Sequence, residues 1–490
     1  MTRILRASQT NPADLKGCRV LVVGLGESGL AMATWLNQQQ AQIAFVDTRA
    51  EPPGVQVLLS RVPDAEWRCQ GEVLSGAAID RCLAHIDLLV LSPGVAFDHA
   101  LVAAAKAQHI PVWSEIDCFA LARAAQCPQS KVIAITGANG KTTTTALTAH
   151  VLNATGVDAV ACGNISPSAL DAFMAREAKA QWPQVWVLEL SSFQLEATSH
   201  MHSDAAIILN LSEDHLDRHY TMAGYAAAKA RVYQDCAAPI WNRADLWADA
   251  YGLDQTNTQS IGDDAPVSAN DFGLANGQIM YGPSPVIALD RLPLLGRHNA
   301  LNVQAALALA MHVLPADKTL VDLLPGVLSF QSLPHRVALV DTIDGVRYVD
   351  DSKATNVGAT LAAIDGLFDA AQGKLAIVLG GEGKGQDFAP LAEPVARAGR
   401  AVALIGKDAE VINQVLAHVV AESMPIARFN DLPAATRWLA DQAQPGDTVL
   451  LSPACASLDM FRNYAERAQV FIDTVKTLGS CAAVTDGRAA

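Results

Sequence analysis

The sequence contains no long apolar run. No stretch approaches the ~18 consecutive apolar residues that a membrane-spanning helix needs, and residues 1–17 lack the apolar core of a secretion signal. The protein is therefore expected neither to enter a membrane nor to be exported, and we predict a cytoplasmic location.

Basic residues are scarce relative to acidic ones. Lys and Arg number 35 against 50 Asp and Glu, which gives a formal net charge of −15. Because nucleic acid is bound mainly through its negatively charged phosphates, this balance argues against a nucleic-acid-binding protein. The 9 cysteines include no C-x-x-C pair, which argues against a zinc ribbon or a disulfide framework and fits a reducing compartment.

Short β-branched apolar runs that alternate with helix-like stretches are, by contrast, abundant. They form three series, which begin at residues 19, 132 and 374. Alternation of this kind predicts buried parallel strands covered by helices. We predict an α/β fold with three tandem α/β domains, the first and the last of them Rossmann-like. The predicted domains are residues 1–119, 120–332 and 333–490.

Within the central domain, residues 251–290 are polar and glycine-rich. Short strands at 278–281 and 286–289 predict a small antiparallel patch there. An alanine-rich helix is predicted at about 299–313, and the tail after about 480 is predicted to fray.

A first glycine motif, GLGESG at 24–29, follows a predicted strand and opens a predicted helix. Asp47 ends the next strand. Glycines in such a turn let phosphates approach the backbone, and the acid can bind a ribose hydroxyl. By chemistry alone the ligand is open: NAD or FAD, another nucleotide, or none.

A second glycine motif, TGANGKT at 136–142, also joins a strand to a helix. Backbone N–H groups of such a turn hold phosphates, while Lys141 would reach the β- and γ-phosphates and Thr142 would ligate Mg²⁺. The strict Walker pattern fails because Ile135 stands where it requires glycine. We still predict ATP binding and a central domain of the P-loop ATPase type, against the alternative of an ordinary glycine-rich turn.

Other polar residues mark the central domain. Glu189 ends the apolar strand VWVLE and is predicted to hold Mg²⁺. His215 and His219 have the i, i+4 spacing of zinc ligands, but no third His or Cys is near, so a single catalytic or metal-associated His215 is favoured. Lys229 lies in an alanine-rich stretch, and composition alone predicts a solvated lysine.

Three polar clusters follow predicted strands of the C-terminal domain, at 350–356, 380–384 and 452–457. Loops after parallel strands are where α/β domains bind ligands. Three such loops in one domain predict a site.

Taken together, these motifs resemble one family. VIAITGANGKTTTT, VLELSSFQLE and LNLSEDHLDRH are similar to the central-domain signatures of the Mur ligases of peptidoglycan synthesis, and the resemblance runs from about residue 16 to about 479. It implies a monomeric, ATP-dependent C–N ligase. DSKATN and LSPACASLDMF resemble the member that adds D-glutamate to UDP-N-acetylmuramoyl-L-alanine. A relative that adds L-glutamate to the same substrate is the alternative.

The resemblance also assigns residues to ligands. It implies a UDP-substrate site formed by Glu27, Ser28, Asp47, Thr48, Arg49, Ser92, Gly94, Asn164, Ser191 and Gln194. It implies an ATP site formed by Gly137, Ala138, Asn139, Gly140, Lys141, Thr142, Thr143, Thr144, Asn302, Arg336, Asp351 and Lys353. It implies contacts to the incoming amino acid from Thr355, Lys384, Ser457 and Tyr464. Glu27 and Tyr464 stand at positions where a member of the family has Leu and Phe.

For the chemistry, the resemblance implies two Mg²⁺ ions and three catalytic residues. The metal residues are Thr142, Glu189, Lys229 and His215, with Lys229 converted by CO₂ into a carbamate. The catalytic residues are Lys141, His215 and Lys229. The γ-phosphoryl group of ATP would activate the substrate carboxylate as an acyl phosphate, which the amine then attacks, with His215 as a candidate base.

Ligands that are bound by three different domains imply domain closure, with hinges near 119–130 and 330–336.

Two other classes of protein compete with this interpretation. A nicotinamide-dependent oxidoreductase would use the first glycine motif but leaves the second unexplained. A non-catalytic nucleotide-binding regulator would bind ATP without amino-acid-dependent phosphate release.

Overall fold

The computed structural model describes most of the chain. The described residues are 11–49, 51–52, 54–69, 75–294, 296–331, 333–368, 373–420 and 424–485. They form a mixed α/β structure built around three large sheets and one small one, so the predicted α/β fold is confirmed.

The N-terminal sheet has five parallel strands in the spatial order third, second, first, fourth, fifth. This is the strand order of a Rossmann fold without its sixth strand, which agrees with the predicted Rossmann-like domain. Its strands are Arg19–Val23, Gln42–Val46, Glu66–Trp67, Leu88–Leu91 and Val112–Ser114. Its helices are Glu27–Gln38, Val55–Arg61, Ala77–Leu83, Ala100–Ala107 and Glu115–Gln126, after a 3-10 turn at Pro12–Leu15.

The central sheet has six strands, all parallel. In spatial order they are Gln259–Ile261, Pro239–Asn242, Ala205–Ile208, Lys131–Thr136, Val185–Glu189 and Ala159–Gly163. The predicted antiparallel patch is a separate sheet of Phe272–Ala275, Gln278–Tyr281 and Ser284–Ala288. The helices are Lys141–Ala154, Ala169–Glu177, Ser192–Ala197, Leu216–His219, Met222–Ala230, Arg297–Met311 and Leu320–Ser329.

The C-terminal sheet is mixed, which the sequence did not predict. In spatial order its strands are Ala338–Ile343, Val346–Asp350, Thr448–Leu451, Leu375–Gly380, Gly399–Ile405 and Ile426–Arg428. The first of them is an antiparallel edge strand that is largely open to solvent, so it lacks the continuous apolar run of a buried strand. The helices are Val357–Leu367, Ala392–Ala398, Ala409–Ala417, Leu432–Gln442 and Tyr464–Thr485. The last helix passes position 480, where the sequence predicts fraying.

The N-terminal and central sheets share one apolar core. Phe119, on the helix Glu115–Gln126, lies edge-on to Trp186 at 5.3 Å and to Phe173 at 6.3 Å, both of them central-domain residues. The predicted boundary at 119 thus falls inside a helix whose buried face packs on the next domain. The C-terminal sheet has its own apolar cores, one on each face.

No described helix is both long and apolar enough to cross a membrane.

Candidate active site

The second glycine motif forms the turn between the strand Lys131–Thr136 and the helix Lys141–Ala154. Gly140 precedes the helix with φ +82°, a left-handed conformation that favours glycine. The first N–H groups of the helix are left without intrahelical acceptors and carry the positive end of the helix dipole. A phosphate group fits such a terminus.

Asn210 fixes this turn, although no sequence motif pointed to it. Its backbone oxygen accepts a hydrogen bond from Ala138 N at 2.8 Å, and its side chain pairs with Asn139, accepting from N at 2.9 Å and donating to O at 3.1 Å. The signal was its position just after the buried strand Ala205–Ile208, beside the strand that ends at the turn.

Two lysine side chains reach the turn. Lys141 Nζ donates to the backbone oxygens of Gly137 and Ala138 at 2.8 Å each. Lys229 Nζ, from the helix Met222–Ala230, donates to Gly137 O at 2.9 Å and Thr136 Oγ1 at 3.2 Å. The prediction from composition that Lys229 is solvated is wrong, because the residue is only 1% exposed.

Burial governs the charge of both lysines. It lowers the pKa of Lys141, and it lowers the pKa of Lys229 well below its ordinary value, since the nearby Lys141 charge adds to the desolvation. A lysine with a strongly lowered pKa carries a larger fraction of neutral, nucleophilic amine.

Glu189 supplies an unsatisfied anion next to these cations. It ends its strand in a buried position, and one carboxylate oxygen accepts from Asn164 Nδ2 at 2.7 Å. The other oxygen, Oε2, is buried without a hydrogen-bond partner among the described residues. An orphaned carboxylate oxygen is costly in a protein interior and is a preferred ligand of Mg²⁺, so the donor set fits a divalent cation.

His215 lies at the centre of the site, whereas His219 does not. His215 has a left-handed backbone (φ 54°), and its ring is 3.6 Å from Asp214. Burial lowers its pKa to about 4 against the opposing charge of Asp214, with help from Lys384 and Lys141. His219 instead contacts Ser192 at 2.9 Å and Glu196 at 3.2 Å, so the two histidines do not form a ligand pair.

The C-terminal domain closes over the turn. Arg336 Nη2 donates to Thr142 Oγ1 at 2.7 Å. Burial, reinforced by the charge of Arg336, lowers the pKa of Lys353 to about 8, and its ammonium lies 3.7 Å from the ring centre of Tyr464. Burial raises the pKa of Asp351 to about 7, although Ser452 donates to its carboxylate at 2.7 Å.

A cleft remains between this domain and the phosphate-binding turn, beside the contact of Arg336 with Thr142. Asn302 and Thr143 of the central domain line it together with Arg336, Asp351 and Lys353. Thr144 also belongs to this group, since its Oγ1 donates to Asn302 Oδ1 at 3.2 Å. The structure therefore brings together the residues that the resemblance assigns to ATP.

Of the residues assigned to the amino acid, Lys384 reaches the immediate neighbour of His215. Lys384 Nζ donates to Asp214 Oδ1 at 3.3 Å, and Asn356 Nδ2 reaches both Asp214 Oδ2 and Asn139 Oδ1. Thr355 and Ser457 follow the adjacent parallel strands Val346–Asp350 and Thr448–Leu451. Asp214 thus joins the two domains at the point where sequence reasoning saw only a neighbour of His215.

The first glycine motif forms a turn at the corresponding end of the N-terminal sheet. A Cβ on Gly29 would lie 2.0 Å from Gly24 O, so only glycine allows this approach. Asp47 accepts from Leu25 N at 2.8 Å and from Arg49 Nε at 2.8 Å. Although burial acts to raise it, these hydrogen bonds lower the pKa of Asp47 to about 2. Ser28, Thr48, Ser92 and Gly94 lie along the same edge.

Residues assigned to the UDP-substrate also come from the central domain. Asn164 is bound to Glu189, while Gln194 caps its own helix by accepting from Ser191 N at 3.0 Å. Glu27 points away from the glycine turn, since its Oε1 accepts from Ser166 Oγ at 2.9 Å and Ser168 N at 3.2 Å. The contact of Glu27 in this structure is therefore with the central domain.

Comparison with known proteins agrees with this arrangement. The MurD-like N-terminal domain of Mur ligases matches residues 18–114, the Mur ligase middle domain matches 135–310, and the Mur ligase glutamate ligase domain matches 335–455. The chain is 52% identical over 468 residues to the UDP-N-acetylmuramoylalanine–D-glutamate ligase of Dechloromonas aromatica, which covers 95% of this chain and 100% of the relative. It is 46% identical to the protein of the same name from Aromatoleum aromaticum, over 95% and 98% of the two chains.

Solved structures share the fold at lower identity. MurF from Acinetobacter baumannii superposes with a TM-score of 0.59 at 18% identity, covering 93% of both chains. The UDP-N-acetylmuramate-alanine ligase MurC from Thermotoga maritima gives 0.56 at 15% identity, over 94% of this chain and 99% of the other. With three domain matches in order and close relatives over nearly its whole length, the chain belongs to the Mur ligase family.

Proposed function

We propose that the protein ligates D-glutamate to UDP-N-acetylmuramoyl-L-alanine at the expense of ATP, as a monomer in the cytoplasm. The observation that carries this proposal is the closed site itself. Arg336 of the C-terminal domain lies on Thr142 of the phosphate-binding turn, and Lys384 lies on Asp214, so nucleotide and amino-acid residues from two domains face one another. The names of the relatives support the choice of substrates.

The reaction needs an activated carboxylate, because a free carboxylate resists attack by an amine. Its oxygen attacks the γ-phosphorus of ATP, the bond to ADP breaks, and an acyl phosphate results. The amine of glutamate then attacks the acyl carbon, and phosphate leaves as the amide forms. Lys141 and Arg336 are placed to offset the negative charge that gathers on the phosphates.

Mg²⁺ fits this site through Thr142 and the buried carboxylate of Glu189. When bound, it would neutralise charge on the phosphate oxygens. We propose that Lys229 and His215 serve a second ion, with Lys229 as a carbamate. Its lowered pKa supports this step, since a neutral amine can add to the carbon of CO₂ and lose a proton, which leaves an anionic oxygen where an ammonium stood.

The incoming glutamate must lose a proton before it attacks. His215 is neutral at physiological pH because its pKa is about 4, so its one unprotonated ring nitrogen can accept a proton whenever it is not bound to the second ion. Such a low pKa makes His215 a weak base, and we propose that it acts by orienting the amine as well as by accepting its proton. Lys384 would exchange Asp214 for a carboxylate of the glutamate, beside Thr355, Ser457 and Tyr464.

The test is phosphate release from Mg-ATP in the presence of UDP-N-acetylmuramoyl-L-alanine and either D- or L-glutamate. We expect release that requires the UDP-substrate and D-glutamate, and Lys384→Ala should abolish this glutamate-dependent release. Lys407→Ala, an exposed lysine of the same domain, is the matched control. Release with L-glutamate alone would instead support the L-glutamate-adding alternative. Release without any dependence on glutamate would contradict the ligase proposal.

Domain closure is part of the proposal. Among the described residues, hydrogen bonds and an ion pair join the central and C-terminal domains, whose apolar cores are separate, whereas the segment near 119–130 is held by a shared apolar core. We therefore propose that the chain bends near 330–336 rather than near 119–130. Small-angle scattering with and without ATP and the UDP-substrate tests this, and identical profiles would contradict it.

A further inference from the structure

Two cysteine side chains meet at the edge of the N-terminal sheet. Cys69 follows the short strand Glu66–Trp67, and Cys82 lies in the helix Ala77–Leu83. The Sγ atoms of Cys82 and Cys69 lie 2.6 Å apart. Since a disulfide bond is ~2.05 Å long, the two sulfurs would need to approach by only about 0.5 Å to be joined.

We propose that Cys69 and Cys82 form a reactive dithiol that exchanges with low-molecular-weight disulfides and closes to a reversible intrachain disulfide. The pair is a chemical modification site, separate from the residues that hold the phosphates. The absence of C-x-x-C spacing concealed it in the sequence, because the two cysteines lie 13 positions apart and the fold brings them together.

The surroundings give the two sulfurs different roles. Cys69 is half-buried, whereas Cys82 is 0% exposed. A disulfide from solvent can therefore reach Cys69 but cannot reach Cys82 directly. Burial raises the pKa of Cys82 to about 12, and its hydrogen bond to Cys69 and the charge of that residue add to the effect. Exchange therefore begins at Cys69.

The reaction is balanced in two steps. The Cys69 thiolate attacks one sulfur of an external disulfide such as oxidised glutathione, and one glutathione thiolate leaves. The resulting mixed disulfide carries no charge on Cys69, so one cause of the raised Cys82 pKa is gone. Cys82 then loses its proton and attacks the sulfur of Cys69, and the second glutathione leaves as its thiol.

Neighbouring contacts favour this reaction. Arg68 donates to the backbone oxygens of Cys82 at 3.0 Å and Ala84 at 2.8 Å, so its guanidinium lies close to the developing thiolate. The charges of Arg68 and Arg81 both act to lower the pKa of Cys82. A positive charge beside a thiol promotes its reaction with disulfides.

The pair also lies near the predicted UDP-substrate edge. Arg68 N donates to Phe45 O at 2.9 Å, and the ring of Trp67 stacks on that of Phe45 at 5.3 Å. Phe45 lies two residues before Asp47 on the neighbouring strand. A disulfide at 69 and 82 would therefore tie down the edge strand next to the turn that Asp47 holds.

The test treats the full-length protein with oxidised glutathione and maps the products by mass spectrometry without reduction. We expect the wild-type chain to lose two hydrogen atoms through a bond between Cys69 and Cys82, and to regain them with excess reduced glutathione. Cys82→Ser should stop at a glutathione adduct on Cys69, and Cys69→Ser should form neither product. Cys236→Ser, a half-buried cysteine outside the pair, is the control and should react as wild type.

Two results would overturn the proposal. One is a persistent glutathione adduct on Cys69 of the wild-type protein; the other is no reaction at either position. Because a serine at the buried position 82 can disturb folding, Cys82→Ala is tested as a second variant. It should also stop at the glutathione adduct on Cys69. As an independent readout, closing the loop constrains the unfolded chain, so oxidation should raise the Tm by at least about 2 °C in wild type and not in Cys82→Ala.

Discussion

The protein contains two glycine-rich turns that occupy equivalent positions in two sheets but carry opposite charges. Both follow the first strand of a parallel sheet and open a helix. The turn at Gly24–Gly29 carries Glu27 and lies beside Asp47, whose charge is matched by Arg49. The turn at 136–142 carries Lys141 and gathers the cations of Lys229, Arg336 and Lys353. The backbone amides give both turns an affinity for phosphate, but only the second concentrates the positive charge that phosphoryl transfer requires.

The difference in charge between the two turns is tested most directly by a substitution at Lys141. We expect Lys141→Met to lower kcat by about 10³-fold, because it removes the cation nearest the transferred phosphoryl group from a desolvated site. The KM for the UDP-substrate should stay within twofold, since the first turn is untouched. Steady-state phosphate release measures both. Lys318→Met, on a surface loop, is the control, and an equal loss in that variant would refute a special role for Lys141.

At the first turn, we expect Asp47→Asn to act on binding alone. The change removes the charge that holds Arg49 and weakens the acceptor of Leu25 N, so the KM for the UDP-substrate should rise about 30-fold. The value of kcat should stay within about twofold, because no phosphoryl transfer occurs there. Initial rates at varied UDP-substrate concentration give both constants. A large fall in kcat with an unchanged KM would contradict the division of labour between the turns.

The charge of the second turn should also depend on pH. The pKa of Lys353 is lowered to about 8, so its ammonium is present below that pH and is lost as the pH rises through it. We expect kcat/KM for ATP to fall about tenfold by a pH near 9. Lys353→Arg should move this limb upward, since the guanidinium keeps its proton. If kcat/KM for ATP falls at the same pH in the arginine variant, the fall is caused by the titration of another group.

The smallest expected effect belongs to Glu27. The resemblance assigns this residue to the UDP-substrate, whereas in the structure it contacts the central domain. Because its carboxylate is bound to Ser166 and Ser168, we expect Glu27→Leu to change the KM for the UDP-substrate by less than about threefold and to lower the free energy of unfolding by about 1 kcal/mol. Denaturant unfolding and initial rates measure the two quantities, with Glu27→Gln as the control that keeps an acceptor. A KM change above tenfold in the leucine variant would instead support a direct contact with the substrate.

The sequence predicted what local patterns determine. The apolar runs that begin at residues 19, 132 and 374 coincide with buried strands to within one residue, and glycine spacing located both turns. The small antiparallel sheet followed from a change in composition. The exposed edge strand Ala338–Ile343 was missed because it carries no buried run.

Contacts between distant parts of the chain were beyond such patterns. Composition predicted a solvated lysine at 229, which the fold instead buries beneath the turn. The spacing of His215 and His219 matches that of zinc ligands, but the sequence favoured His215 alone, and in the structure His219 contacts Ser192 and Glu196 instead. Asn210 and Asp214 tie loops together through side chains whose partners lie far away in sequence. The resemblance supplied the residue roles that physical reasoning left open.

The aromatic contact of Phe119 with Phe173 and Trp186 has a mechanical consequence. Three domains follow one another along the chain. The first two share an apolar core, whereas hydrogen bonds such as that between Asn356 and Asn139 join the third to them. A force applied to the two ends would therefore detach and unravel the C-terminal part separately, and then unfold the remainder as a single body. A gene fragment that ends at codon 119 would cut the fastening helix and leave half of that interior facing water.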